Sequence, residues 1–421
     1  MTKYAALPGF RDFYPEEMAR RQQIFDAWRS TAQRFGFEEY DGPPLEALEL
    51  YVDKSGPEIV NQLFNFTDKG GREVALRPEM TPTVVRMLGA RVKGMPRPIR
   101  WYSTPQLFRY EKQQRGRLRE HFQLNMDIVG EESELADVDL LAAALDVLKT
   151  LGLTSADVVA RVSDRRLLQH MLLALGAEER DLVAAYGVID KFDRESREVL
   201  AKRLSELGVS AEALDLTQLT LPDIRQKYAS NPAIVDTLDR LDRYFGALDA
   251  LGFRDWVQFD MKIVRGLAYY TGIVFEIFDR KGELRAICGG GRYDNLFATL
   301  TGLDIPALGF GFGDVVLGEL LKDRKLAAEH QRAVDAVVIP VDPSTRKNAL
   351  EIVAKLRAAG KSVIFPYRQT GVGKSLKAAS AAGVREAIVV GPDEVASGVF
   401  VVKDLASGEE RKLRVEEYLT M

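Results

Sequence analysis

Apolar residues recur at helical spacing between Glu16 and Phe35 (Met18, Ile24, Phe25, Trp28, Ala32), with basic residues between them and Gly36 placed to end the run. This pattern predicts one amphipathic helix. Phe37 to Glu46 reads as short and extended, because Gly42-Pro43-Pro44 prevents a helix from running through it. Leu63 to Thr67, then Asp68-Lys69-Gly70-Gly71, then Glu73 to Arg77 read as strand, turn and strand, hence a hairpin. A helix is predicted over Thr81 to Leu88. Strands follow over Arg100 to Ser103, Gln106 to Glu111 and Phe122 to Val129, the last two joined by the polar loop Lys112 to Gly116. Acids alternating with Leu, Ala and Val predict a helix from Glu134 to Leu151, ended by Gly152.

From about Arg165 to Gly252 the chain is leucine-rich, charged and helical in pattern, which predicts a helical insertion. Strand signals resume at Trp256 to Val264 and Ile273 to Phe278. Gly289-Gly290-Gly291 is expected to interrupt them, and Gly309-Phe310-Gly311-Phe312-Gly313 to lead into a helix over Val315 to Leu321. After the charged stretch Lys322 to Arg332 the pattern changes. Strands at Val334 to Val341, Ser362 to Tyr367, Ala387 to Val390 and Val399 to Val402 alternate with helices at Arg346 to Ala359 and Lys374 to Ala382, the signature of a compact α/β unit beginning near residue 330.

The bulk numbers add limits. With 421 residues, 46% of them hydrophobic, the chain can bury two or three cores, since a single core usually stops growing at about 250–300 residues. The first residues lack the apolar centre of a signal peptide, and no uncharged apolar run approaches the roughly 18 residues that span a bilayer. A cytoplasmic protein without a membrane partner is expected. A single cysteine, Cys288, excludes an internal disulfide, and three scattered histidines (His121, His170, His330) make a poor zinc set. Charge is uneven: the net is −4, yet Arg86 to Arg119 holds ten Lys or Arg against one acid, Glu111. From residue 331 onward 14 basic face 11 acidic residues, +3, which leaves −7 for the first 330. A charge run is usually a solvated helix face, so it becomes informative only beside other motifs.

The strongest constellation is Phe108-Arg109-Tyr110-Glu111, a loop of Lys, Gln, Arg and Gly, and then Arg117 to Gln123, ending at Asp127. Strand alternation places Arg109 with Glu111 on one face, and Gln123 with Asp127 on one face of the returning strand. Four polar groups on one sheet face need a ligand or partners, since a buried unpaired charge is costly; the plain alternative is a cross-strand salt-bridge ladder in solvent. Three further motifs accompany it: Leu76-Arg77-Pro78-Glu79-Met80-Thr81-Pro82, Ile263 to Gly272 with Arg265 and Tyr269-Tyr270, and Gly289-Gly290-Gly291-Arg292-Tyr293-Asp294. The last two set charges and tyrosine hydroxyls beside glycines that let backbone approach a ligand.

Together and in this order the four motifs closely resemble those of histidyl-tRNA synthetases, over essentially the whole chain. The resemblance implies an α+β fold: a class II synthetase antiparallel sheet flanked by helices (1–164 and 253–325), a helical insertion (165–252), and a C-terminal α/β anticodon-binding-type domain (331–421). It implies activation of histidine with ATP and Mg²⁺, transfer to tRNA(His), and a homodimer built near Pro43. Carried over residue by residue, Arg109 neutralises the ATP α-phosphate, and Arg265 holds carboxylate and α-phosphate together. Glu79 and Thr81, with Met80 between them, receive the substrate ammonium; Gln123 orients the amino acid; Asp127, Tyr269 and Tyr270 hold the imidazole. Glu111 reads the adenine amino group, Arg117 and Arg115 reach phosphates of ATP or the tRNA acceptor end, and Arg368 faces tRNA. Metal ligands stay undefined, since Mg²⁺ keeps several waters.

The chain departs from that family's pattern in places. Val315-Val316 stands where the family's third motif carries Glu-Arg, the arginine that packs on adenine. Ala268 replaces an aspartate, His121-Phe122 inverts the commoner order, and Asp127 replaces a frequent glutamate. Two readings of other classes therefore stay open: a catalytically silent, histidine-binding regulatory paralogue, which the loss at Val316 favours and the complete C-terminal unit opposes, and a class II enzyme for another amino acid, which Tyr269-Tyr270 with Gln123 and Asp127 disfavours. Gly371-Val372-Gly373-Lys374-Ser375 imitates the end of a P-loop, but Arg368 stands where its first glycine is required. A helix start is the better reading.

Overall fold

The computed structural model describes residues 4–112, 114, 116–189, 191, 195–263, 270–330 and 334–420. The chain divides into two compact units, Met1–Ala328 and Glu329–Met421.

In the first unit, α1 (Pro15–Arg34) begins with proline in its first turn and two acids there, Glu16 and Glu17, which suit the positive end of the helix. Its buried stripe is Ile24, Ala27, Trp28, Thr31 and Ala32. Next come β1 (Glu38–Glu39), β2 (Leu45–Ala47), α2 (Leu48–Ser55), β3 (Asn65–Thr67), β4 (Glu73–Leu76) and α3 (Thr81–Gly89). Then follow β5 (Ile99–Ser103), β6 (Gln106–Phe108), β7 (Glu120–Val129), α4 (Glu134–Thr150) and β8 (Val158–Asp164). The helical stretch is α5 (Arg165–Ala174), α6 (Leu182–Ile189), α7 (Arg197–Glu206), α8 (Leu221–Lys227) and α9 (Pro232–Ala250). The unit closes with β9 (Val257–Phe259), β10 (Ile273–Asp279), β11 (Cys288–Arg292), α10 (Leu296–Thr301), β12 (Ala307–Gly313) and α11 (Asp314–Asp323).

Among the described residues nine of these strands form one sheet, ordered β1-β5-β7-β12-β11-β10-β8-β9, with β6 also on β7. Only the outermost pairs, β1 with β5 and β8 with β9, are parallel. This is the α+β architecture that the motifs imply. One face of the sheet carries α1, α4 and α11. Leu124, Met126 and Ile128 of β7 and Leu308, Phe310 and Phe312 of β12 enter that core, which runs on without a break into the leucines of α5 to α9. Each large apolar side chain buried there contributes about 1.5–3 kcal/mol. On the opposite face Met80, Val84, Leu88, Leu107 and Phe297 build a second, smaller core between α3 and α10.

Three expectations need correction. Gly289-Gly290-Gly291 does not interrupt the sheet; it is the middle of β11. A Cβ on Gly290 would lie 2.4 Å from that of Phe310, and one on Gly291 2.6 Å from the Ile273 carbonyl oxygen, so only glycine lets the neighbouring strands close at this point. The strand predicted over Trp256 to Val264 stops at Phe259: the Asp260 side chain accepts from the Lys262 amide (2.9 Å) and folds the chain into a turn. The strand predicted from Gln106 to Glu111 stops at Phe108, because the Arg109 amide reaches the Arg119 carbonyl (2.9 Å) across the loop while the Glu111 amide turns back onto that of Arg109 (2.9 Å).

Arg292 also has an unforeseen place. Its guanidinium is 1% exposed and grips Asp137 of α4 (2.6 Å) and the carbonyls of Glu131 and Ser133, locking β11 to the helix behind it. An arginine that the glycine-rich motif offers to a ligand is instead part of the scaffold.

The second unit alternates β13 (Ala336–Pro340), α12 (Arg346–Ala358), β14 (Val363–Ile364), α13 (Val372–Ala381), β15 (Glu386–Val390), α14 (Pro392–Ser397), β16 (Phe400–Asp404), β17 (Glu410–Leu413) and α15 (Val415–Leu419). Its sheet runs β14-β13-β15-β16-β17, parallel up to β15 and antiparallel beyond.

Candidate functional site

The site face of the sheet is set by one rule of strands, that side chains alternate. On β7 the even residues fill the core, so His121, Gln123, Asn125 and Asp127 point the other way. Opposite them β12 offers only glycine: Gly309 pairs with Asp127, Gly311 with Asn125 and Gly313 with Gln123. The glycines leave room for the polar side chains. A Cβ on Gly309 would fall 2.2 Å from Asp127 Oδ1, and one on Gly311 2.7 Å from Gln123 Cδ. Gly309→Ala is accordingly expected to destabilise the protein by about 1–3 kcal/mol, the usual cost of overpacking. A urea titration monitored by Trp fluorescence checks this; an unchanged midpoint would mean that the two strands are not packed this closely.

Two cavities open on this face and share Arg109, Gln123, Gly289 and Gly311 as a common wall. The smaller, of about 140 Å³, is lined by Glu79, Thr81, Asn125, Tyr270, Tyr293 and Gly309 besides the shared residues. That is well below the roughly 300 Å³ at which drug-sized ligand pockets begin, so it suits a single small molecule. Asp127 lies behind Gly309 and Tyr293 of this lining, 4% exposed, and accepts a hydrogen bond from the Tyr293 hydroxyl. Burial raises the Asp127 carboxyl pKa to about 7, against the pull of that hydrogen bond. Glu79 is paired with the wholly buried ammonium of Lys54, whose pKa burial lowers in spite of the partner. Nothing in the sequence pattern marks Lys54, because it sits near the end of an ordinary amphipathic helix, α2.

The larger cavity, of about 480 Å³, holds Glu111, Arg117, His121, Glu276, Arg285, Val315 and Val316 in addition to the shared wall. Arg109 stands where the two cavities meet and is anchored by its Nε, which donates to the Pro78 carbonyl (3.1 Å). Arg117 Nε bridges to Glu111 (2.6 Å). His121 is held neutral: burial, then the charges of Arg109 and Arg11, lower its pKa to about 3. Three guanidiniums around one cavity against two carboxylates suit a polyanion, and the flat neutral imidazole and the two valines give it an apolar floor.

The structure thus brings Glu79, Thr81, Arg109, Glu111, Arg117, Gln123 and Tyr270 together in the walls of the two cavities, with Asp127 one layer behind them on the Tyr293 hydroxyl. Met80 is corrected: its side chain is fully buried in the second core and none of it reaches the cavity, because α3 starts at Thr81 and turns the preceding residue inward. Arg265, Tyr269 and Arg115 lie outside the described residues. Arg368 is exposed in the second unit between β14 and α13, beside Tyr367, whose ring is 92% exposed and packs edge-on against Phe365. Sequence reasoning passes over Tyr367 and Arg285, since neither belongs to a motif. Among the described residues no cluster of three or more His, Cys, Asp or Glu is arranged for a metal ion, and no helix is long and apolar enough to cross a membrane.

The profile of the histidyl-tRNA synthetase family matches residues 9–313, and that of an anticodon binding domain matches residues 335–421. The chain is 44% identical over its full length to a histidine–tRNA ligase of Opitutus terrae, covering 98% of that protein. It is 39% identical to the chloroplastic/mitochondrial histidine–tRNA ligase of Arabidopsis thaliana, over 97% of this chain and 85% of the other. Among solved structures, the histidyl-tRNA synthetase from Nostoc sp. PCC 7120 superposes with a TM-score of 0.82 at 23% identity, covering 100% of this chain and 99% of that one.

Proposed function

Because the chain belongs to the histidyl-tRNA synthetase family, we propose that it is an ATP-dependent ligase that activates histidine as the adenylate and transfers it to the 3′ end of tRNA(His). One observation carries the mechanism: Arg109 is a wall of both cavities at once. The smaller cavity takes the amino acid and the larger takes ATP, so the carboxylate and the α-phosphate meet at Arg109. A carboxylate oxygen bonds to the α-phosphorus, the bond to the β-phosphate oxygen breaks, and pyrophosphate leaves. Charge grows on the α-phosphate oxygens in that transition state, and a pre-positioned guanidinium stabilises it. Arg265 is assigned the same task from the carboxylate side. In the second step a terminal ribose hydroxyl of tRNA attacks the acyl carbon and AMP departs.

For substrate choice, Gln123 orients the amino acid and Thr81 with Glu79 receives its ammonium. Lys54 holds that carboxylate in place and lowers the net charge the ammonium meets. Asp127, Tyr293 and Tyr270, with Tyr269, form the polar base that recognises the imidazole. A site built of buried polar partners rejects an isostere that cannot satisfy them by large factors, since the partners are then left unpaired. Mg²⁺ arrives with ATP. In the larger cavity Glu276 is the carboxylate not assigned to the base, and it would face an ion held mainly by phosphate oxygens and water; there the ion would screen phosphate charge. Arg117 is assigned to the phosphates of ATP, Arg115 to the acceptor end, Arg368 with the exposed ring of Tyr367 to tRNA bases or phosphates, and the working form to a homodimer in the cytoplasm.

The test is pyrophosphate–ATP exchange. Histidine, and no other amino acid, is expected to drive it, and Arg265→Ala to abolish it in a folded protein. Histidine binding by calorimetry with no exchange at all would assign the chain to the regulatory class instead.

A further inference from the structure

Arg285 lies on the connection between β10 and β11, at the rim of the larger cavity, and is exposed. It stands close to the β6–β7 loop: a Cβ on Gly116 would be 3.8 Å from Arg285 Cδ and 3.2 Å from Val316 Cγ2. Glu111, a carboxylate of the cavity whose charge acts on Arg285, is committed to Arg117 at 2.6 Å, and among the described residues no ion pair of Arg285 is formed. Partial burial and then the like charge of Arg117 lower its pKa. A planar cation therefore stands near Val316 across Gly116, in a cavity whose walls also hold Val315, the Phe278 ring and the neutral ring of His121.

A guanidinium without a carboxylate has two uses in such a place: it binds phosphate as a charge, or it lies flat on a π-system. The phosphate role is already served by Arg109 and Arg117 toward the loop and the common wall. Arg285 is near Val316 and shares the cavity with Val315 and Phe278, apolar groups that offer nothing to a phosphate and suit a heterocycle. We infer that Arg285 is the residue that grips the purine of ATP, lying on the base and replacing from a hairpin the cation that Val316 does not supply from α11. Arg285 is thus a binding residue for the proposed reaction, and the inference rests on assigning ATP to the larger cavity.

The experiment measures KM for ATP and for histidine in pyrophosphate exchange, and binding of adenosine and of inorganic tripolyphosphate by calorimetry, for the full-length wild type, Arg285→Ala and Arg285→Lys. Arg285→Ala is expected to raise KM for ATP and weaken adenosine binding roughly tenfold, leaving KM for histidine and tripolyphosphate binding unchanged. Arg285→Lys, which keeps the charge and loses the plane, is expected to behave like Arg285→Ala. Full rescue by lysine, or a loss confined to tripolyphosphate, overturns the stacking role. An active wild type whose ATP KM is unmoved by Arg285→Ala also overturns the inference while leaving the ligase reading intact; a wild type that shows no exchange at all removes the reading on which it rests.

Discussion

Arg109→Ala is expected to lower histidine-dependent pyrophosphate exchange by about 10²–10³-fold, the range seen when one pre-organised donor to a developing charge is removed. The loss should fall mainly on kcat, because the guanidinium acts most strongly on charge that appears only in the transition state. The geometry adds a distinction between two substitutions. Arg109 is held by the hydrogen bond from its Nε to the Pro78 carbonyl, which leaves the rest of the fork for the junction of the two cavities. Lysine keeps the charge but has no planar fork to divide between an anchor and a ligand, so Arg109→Lys should recover only part of the rate. The residue is half-buried and outside the two main cores, so the melting temperature of either variant should change little. Exchange that persists at the wild-type rate in Arg109→Ala would remove Arg109 from the mechanism.

The second large effect concerns Asp127, where binding and stability pull in opposite directions. Its carboxyl has a folded pKa of about 7, raised by burial, against an ordinary value of 3.8. For an acid whose pKa rises on folding, the folded state holds the proton more tightly than the unfolded one. Stability is then greatest below the unfolded pKa, declines as pH climbs from about 4 to about 7, and stays reduced above that. Each unit of the shift is worth about 1.4 kcal/mol. Asp127→Asn removes the titration and can still accept from the Tyr293 hydroxyl. The variant is expected to melt higher than the wild type at pH 8, and to lose that advantage at pH 4. Its kcat/KM for histidine should fall about 10- to 100-fold, the value of one charge-assisted hydrogen bond, with KM for ATP unchanged. Calorimetric melts at the two pH values decide the point: an Asn variant that melts lower at pH 8 would mean that the buried carboxylate is compensated and not a cost.

Several parts of the molecule are legible in the order of residues because their physics is local. Helix α1 is determined by an apolar stripe at 3.6 spacing, α4 by a run of Leu, Ala and Val that is buried on nearly every side, and both by what ends them. The β3–β4 hairpin follows from a turn that only Asp68, Gly70 and Gly71 make easy: Asp68 Oδ1 accepts from the Gly70 and Arg72 amides at 2.8 and 2.9 Å, and Gly71 has φ of 79°. The polar face of β7 is readable for the same reason, since alternation alone separates Gln123 and Asp127 from Leu124 and Met126.

What tertiary structure decided is what those residues meet. Glycines 289–291 have no intrinsic preference for a strand, and only the closeness of β10 and β12 makes them one. Arg292 and Met80 stand inside the motifs yet serve the scaffold, because Asp137 and the second core lie behind them. Arg285 and Lys54 stand outside every motif, yet the first lines the larger cavity and the second pairs with Glu79 of the smaller one, carried there by elements whose own sequence pattern is unremarkable. The sequence by itself determined most of the elements, the family and the kinds of group present at the site. Which groups face a ligand and which are already satisfied was decided by strand pairing across long stretches of chain, where a side chain's partner is set by packing rather than by spacing.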